Sequence, residues 1–311
     1  MQFGVEIPNG RRFDAVALGL NAVDHLIVAP HYPKFNSKVP FISHQLAPGG
    51  QAATAMVALA RLGMRTRYVG NVGSDDLGQF QMQSLKSEGV DLAGVSVIEG
   101  AETQTAFIIV DQSSGERTIL WGRGDALTID PARVNREIIA SGRVLHLDGH
   151  DVAASIAAAG YAHEAGIPVV IDIDNIYPGA DRLLRLVDFL ISSASFPAQM
   201  TGEQHLPTAL AALSQATGAR FVAATLGRKG VLAYLRDQFI HSPAYSVDCR
   251  DTTGAGDAFH GGFIYGLLAG MSVEETLRFS NAVAGLKCTQ LGARTGLPTL
   301  DQVNELMSVS V

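Results

Sequence analysis

Residues 251–262 read DTTGAGDAFHGG, with turn-forming glycines and carboxylates set at the head of an apolar run. Gly254 and Gly256 accept backbone conformations closed to other residues and keep side chains clear, so successive N–H groups at the start of a helix over 255–269 can converge on an anion. Asp257, in the first turn of that helix, repels the anion that those N–H groups attract, so its carboxylate has either a capping role or a chemical one. The chemical role is that of a base, which takes a proton from an attacking hydroxyl while the N–H groups stabilise charge on a phosphoryl group in transfer. The local residues leave both roles open.

Other chemistries fail on spacing. No G-x-x-x-x-G-K-[ST] occurs, and neither GGQAAT nor GAGDAF satisfies G-x-G-x-x-G, which excludes a P-loop and a dinucleotide fingerprint. His163 and Glu164 have no second histidine at zincin spacing and read as a solvated helix end. Cys249 and Cys288 are too few for a disulfide scaffold or a structural zinc site, and read as buried thiols in a reducing cytosol. A net charge of −7 without a long basic block argues against a nucleic-acid partner. Hydrophobic residues, 47% of 311, come in short runs with no apolar span of eighteen, so no membrane helix is expected. The opening MQFGVEIPNGRRF lacks the layout of a secretory signal and reads as a short extension. These features predict a cytoplasmic protein with small-molecule partners.

The elements that must position Asp257 follow a β-α-β rhythm. Nearly all-apolar runs at 13–20, 143–147, 168–173, 187–192 and 220–226 read as strands buried on both faces of a parallel sheet. Between them QAATAMVALARLG, DDLGQFQMQSLKSEG, VAASIAAAGYAHEAG and TALAALSQATG have helical composition and end in Gly. Two regions break the rhythm, 24–46 and 95–121, where VSVIE, TAFIIVD and RTILWG around a QSSGE turn predict a small antiparallel sheet. They read as one lid built from two insertions, with 13–23, 47–94 and 122–311 forming a single α/β domain.

DTTGAGDAFHGGF resembles the C-terminal signature of the ribokinase-like (PfkB) carbohydrate kinases, and PGGQAATAMVALARLG (48–63) resembles their N-terminal signature. The segments at 69–91, 115–120, 225–230 and 281–298 are similar to comparable family segments, so the resemblance spans nearly the whole chain. It implies a three-layer α/β/α sandwich with a mostly parallel central sheet and a small β-sheet lid over a sugar site. Thr54, GDAFHGG and LKCTQLGARTGLP are most similar to the sulfofructose kinase-like branch, whereas Arg123, in WGRGD, resembles a substrate-side arginine of ketohexokinases and keto-deoxy-gluconate kinases.

The roles that the resemblance implies fall on named residues. Asp257 is the base that activates the acceptor hydroxyl, and Gly254, Ala255 and Gly256 supply the anion hole. Asp24 accepts hydrogen bonds from sugar hydroxyls, and Gly49, Gly50 and Thr54 form the sugar-side loop. Thr225, Gly227 and Gly230 flank the nucleotide, and Asn281 borders the adenine or serves as a structural amide. Arg123 meets the far end of the acceptor, with Arg117 as its competitor in the same segment. A monovalent cation, K⁺, is expected between Asp251 and the loop around Gly292, and two copies are expected to pair through the lid. One departure stands out. Where the family carries Asn-x-x-Glu to help place Mg²⁺, this chain has Ser193 and Phe196, which leaves Asp172, Asp174 or Glu203 to compensate or Mg²⁺ to be held by ATP and water. The implied activity is ATP-dependent phosphorylation of a furanose-form or keto sugar, neutral or acidic. The alternatives are a nucleoside kinase and a sugar- or nucleotide-binding protein that has lost turnover.

Overall fold

A strand with no polar face must be covered on both sides, and the apolar runs of this chain are covered in that way. The computed structural model describes residues 1–309. Its strands are β1 Ala15–Leu18, β2 Ala22–Ala29, β3 Ser43–Gly49, β4 Thr66–Gly73, β5 Asp91–Ile98, β6 Thr105–Asp111, β7 Arg117–Gly122, β8 Val144–Leu147, β9 Val169–Ile173, β10 Phe189–Ser193, β11 Phe221–Thr225, β12 Val231–Leu235 and β13 Gln238–Ser242. Its helices are α1 Gln51–Arg61, α2 Asp76–Ser87, α3 Arg136–Ile139, α4 Val152–Glu164, α5 Ala180–Leu184, α6 Phe196–Thr201, α7 Leu206–Thr217, α8 Ala255–Leu268, α9 Val273–Lys287 and α10 Leu300–Val309.

Nine strands form one sheet in the order β13-β12-β11-β10-β9-β8-β1-β4-β5. It is parallel from β5 to β11, and β12 and β13 extend it as an antiparallel hairpin. Alternate side chains go to opposite faces. Ala15, Ala17, Phe189 and Ile191 pack toward α1, α8 and α9, while Val16, Leu18, Leu190 and Val222 pack toward α4 and α7. The result is a three-layer α/β/α sandwich. Helix α8 is wedged tightly between its neighbours: a Cβ on Gly261 would lie 2.6 Å from that of Ala58 in α1, and one on Gly262 would lie 2.8 Å from Cα of Ser280 in α9.

The second sheet has the order β3-β2-β6-β7, and it corrects two expectations. Its central pair, β2 and β6, is parallel rather than antiparallel, because both strands leave the large sheet in the same direction and each adds its own antiparallel partner outward. VSVI of the VSVIE run belongs to β5 at the edge of the large sheet, so the small sheet resumes at Thr105 and not at residue 95. Asp24, Leu26, Ala106, Ile108 and Val110 form its inner face, and the cross-strand register places Arg117, Ile119 and Trp121 on that same face.

The N-terminal segment is more than an extension. Phe3 is buried edge-on among Phe189, Phe221 and Phe263, with ring centroids 5.4 to 5.5 Å apart, and the Met1 carbonyl accepts from the Val273 N–H. Phe3→Ala is therefore expected to lower the unfolding free energy by about 3 kcal/mol in a denaturant titration. The same change at the fully exposed Phe35 should stay within about 0.5 kcal/mol. A Phe3 variant as stable as the Phe35 variant would remove the N-terminal segment from the core.

Candidate active site

Helix α8 starts where the sequence places it, and its first turn faces a cavity of about 180 Å³ between the two sheets. Gly254 is the N-cap at φ 76°, a left-handed conformation, and a Cβ there would lie 2.8 Å from Ala293. Among the described residues the N–H groups of Gly254, Gly256 and Asp257 have no hydrogen-bond partner, while that of Ala255 donates to the Thr252 carbonyl at 3.2 Å. The free donors thus sit on either side of Ala255 rather than on it. His260, one helical turn beyond Gly256, donates from Nδ1 to the Gly256 carbonyl at 2.9 Å and so braces the first turn of α8. Asp257 lines the cavity, and burial, with Asp172 nearby, pushes its carboxyl up to about 7. A carboxylate with that value shifts between acid and base near neutral pH, as proton transfer from a hydroxyl requires.

Asp24, on the inner face of β2, lines the same cavity. Burial raises its carboxyl to about 7 against the opposing pull of Arg294. Gly49 packs against the Asp24 carboxylate so closely that a Cβ would overlap it, and Gly50, at φ 91°, turns the chain into α1 beside Asn21. Thr54 lies below, fully buried in α1, where its Oγ1 accepts from Nε of Arg294 at 3.3 Å. Arg294 is itself buried and also donates to the Gly49 carbonyl and to Asn21 Oδ1, so one guanidinium fixes the turn at Gly49 and Gly50. Nothing in the local sequence separates it from a surface arginine. Asp148, equally buried, accepts from the N–H groups of Leu20, Ala52 and His150, which ties β1, α1 and β8 together behind the cavity.

Arg123 is not at the cavity. It forms a two-pronged pair with Asp151 at 2.7 and 3.1 Å and donates to the Leu127 carbonyl at 2.6 Å, because β7 ends at Gly122 and the chain turns away. Arg117 takes the inner-face position, where it lines the cavity and donates to Thr252 Oγ1 at 3.0 Å. On the expected nucleotide side, Thr225 ends β11, and Gly227 and Gly230 shape the turn into β12, with the Leu226 N–H donating to the Gly230 carbonyl at 2.7 Å. The amide nitrogen of Asn281 is committed to Ser242 and to the Pro243 carbonyl, at 3.0 to 3.1 Å, which is the structural alternative.

Phe196 is fully buried in the core at the start of α6, so no carboxylate can be reconstructed there. Of the three acids expected to compensate, Glu203 is exposed beyond α6, and Asp172 is buried with an oxygen 3.4 Å from Nδ1 of His260. Asp174 lines the cavity with its Oδ1 buried and unpartnered. Among the described residues no group of three or more His, Cys, Asp or Glu side chains is set to hold a metal. A divalent ion that keeps most of its ligands from phosphate and water fits a single free carboxylate of this kind.

The monovalent-cation expectation meets a different arrangement. Asp251 accepts from the Thr253 N–H at 2.8 Å and from the Gly292 N–H at 2.7 Å, and the buried ammonium of Lys287 donates to its carbonyl at 2.7 Å. Asp251 and Gly292 are joined directly, with an ammonium beside them. Of the two cysteines Cys288 is buried and Cys249 half-buried.

A sequence profile of the pfkB family carbohydrate kinases matches residues 16–300. The chain is 30% identical over 301 residues to the ribokinase of Haemophilus influenzae, covering 93% of this chain and 97% of that one. It is 32% identical over 283 residues to the ATP-dependent ribose-1-phosphate kinase of Halopiger xanaduensis, covering 89% and 92%. The crystal structure of Arabidopsis thaliana ribokinase with ribose and ATP superposes with a TM-score of 0.79 at 24% identity, over 95% of this chain and 98% of that one, which is a likeness of fold. The site built around α8 and the match along the chain agree: this protein belongs to the pfkB family of carbohydrate kinases, and it is an ATP-dependent sugar kinase of the ribokinase and fructokinase type.

Proposed function

We propose that this kinase phosphorylates a primary hydroxyl of a furanose-form or keto sugar that carries an anionic group. The observation behind this reading is the convergence on one cavity of three carboxylates, Asp24, Asp174 and Asp257, with a single guanidinium, Arg117. Asp24 orients the sugar by accepting from its hydroxyls, and charge-assisted bonds of that kind are the stronger ones. Asp257 removes the proton of the acceptor hydroxyl as its oxygen bonds to the γ-phosphorus of ATP and the bond to the bridging oxygen of ADP breaks. The free N–H groups of Gly254, Gly256 and Asp257 receive the charge on the transferred group. Mg²⁺ bound with ATP would screen the phosphates, and Asp174 is the carboxylate that would meet it or its waters. Arg117, in place of Arg123, would pair with a sulfonate, carboxylate or phosphate at the far end of the acceptor. The relative named for ribose 1-phosphate supports an anionic acceptor, and the relatives named ribokinase support a pentose.

A second reading draws on the rings at the cavity. Trp121 lies edge-on to His150 at 5.8 Å, and His150 packs on Tyr177 at 4.8 Å, a wall on which the base of a nucleoside could stack. The exposed outer-face residues Phe107 and Leu120 support pairing of two copies through the small sheet.

ADP release measured over neutral sugars, acidic sugars (sulfofructose and keto-deoxy-gluconate among them) and nucleosides tests these readings together. Highest kcat/KM is expected for an acidic sugar, and Arg117→Gln should lower it by about 2 to 4 kcal/mol while changing the neutral counterpart little. Equal losses on both would confine Arg117 to its bond with Thr252, and a nucleoside as best acceptor would favour the second reading. ADP release with none of them would place the acceptor outside these classes and overturn the proposal.

The pH profile is a separate check. Because burial raises the Asp257 and Asp24 carboxyls to about 7, both sites gain their charged form as pH rises, so kcat/KM should climb to a plateau with a midpoint near pH 7. A flat profile from about pH 5 to 8 would contradict the base assignment.

A further inference from the structure

Lys287 ends α9 with its side chain wholly buried. Among the described residues its ammonium has a single hydrogen-bond acceptor, the carbonyl oxygen of Asp251, at 2.7 Å. That carbonyl belongs to the segment leading directly into the anion loop. The same segment is pinned at further points: the N–H groups of Arg250 and Asp251 donate to the Cys288 carbonyl at 2.8 and 3.2 Å, and the Asp251 carboxylate is capped by the N–H groups of Thr253 and Gly292. A metal cation here would need a ring of free oxygens, but both carboxylate oxygens of Asp251 already face N–H donors and its carbonyl faces the ammonium. A second positive charge beside Lys287, in a site shut off from water, would be repelled.

We propose that the Lys287 ammonium is a built-in monovalent cation that orders the anion loop, so that this kinase works without K⁺. Lys287 touches neither sugar nor nucleotide. It acts through Asp251 as a positioning residue, and its charge lies beneath the loop that must hold a phosphoryl group. The proposal rests on reading residues 254–257 as the phosphate-binding loop.

The test compares KCl with tetramethylammonium chloride at equal ionic strength and reads both turnover and calorimetric affinity for β,γ-imido-ATP. The affinity can be measured whether or not any sugar is phosphorylated, so a failed kinase assignment and a failed cation assignment are told apart. The unaltered protein should give equal values in the two salts. Lys287→Met, which keeps the packing without the charge, should lose about tenfold in both salts, and Lys287→Ala, which leaves room for an ion, should lose about tenfold in tetramethylammonium and recover in KCl or NH₄Cl. A several-fold gain of the unaltered protein in KCl would overturn the proposal, and that arm decides alone if neither variant folds. It would also be overturned by a Lys287→Ala protein that loses nothing, or one that neither potassium nor ammonium restores.

Discussion

The carboxylates of Asp24, Asp174, Asp251 and Asp257 sit at or beneath one cavity, and taking charge out of water costs several kcal/mol per group unless it is paired or bonded. The fold meets this constraint from a single stretch of chain. The stretch from the last residue of α9 onward carries Lys287 at its start and Arg294 further on, both buried, the first against the Asp251 carbonyl and the second against the Gly49 carbonyl, Asn21 and Thr54. Asp257 has no such partner. Half-buried, it keeps its carboxyl raised, as the base proposed for the acceptor hydroxyl would need.

The rest of the architecture follows from holding these charges still. Glycines at 261 and 262 let α8 lie close against α1 and α9, so the first turn of α8 is fixed relative to the turn at Gly49 and Gly50 at the head of α1. The hairpin between β6 and β7 reaches the anion loop itself, since the Gly115 carbonyl accepts from both the N–H and the hydroxyl of Thr252. Arg117 joins the same threonine, so the small sheet and the anion loop share one contact point. Movement of the small sheet would therefore be felt at the residues proposed to meet the phosphoryl group.

Much of this is legible in the sequence where the signal is local. The uninterrupted apolar runs mark the buried parallel strands, and DTTGAGDAF marks the start of α8, because a helix N-terminus and its free N–H groups are written in adjacent residues. Half-buried edges are harder. Part of β5 reads as lid from its residues alone, and the β12–β13 hairpin, with Arg236 and Asp237 at its turn, does not separate from its surroundings. The arginines are the least legible. Whether Arg117 or Arg123 reaches the cavity depends on where β7 stops and on Asp151, 28 residues away, and the burial of Lys287 and Arg294 depends on tertiary packing that no local pattern records.

The central claim is that Asp257 is a base and that the backbone around it is a separate anion cradle. Asp257→Asn removes the first and leaves the second, so single-turnover phosphorylation and calorimetric ATP affinity on that variant test the claim most directly. Turnover should fall by at least about a thousandfold while ATP affinity stays within about threefold. Turnover within about tenfold of the unaltered protein would contradict the account.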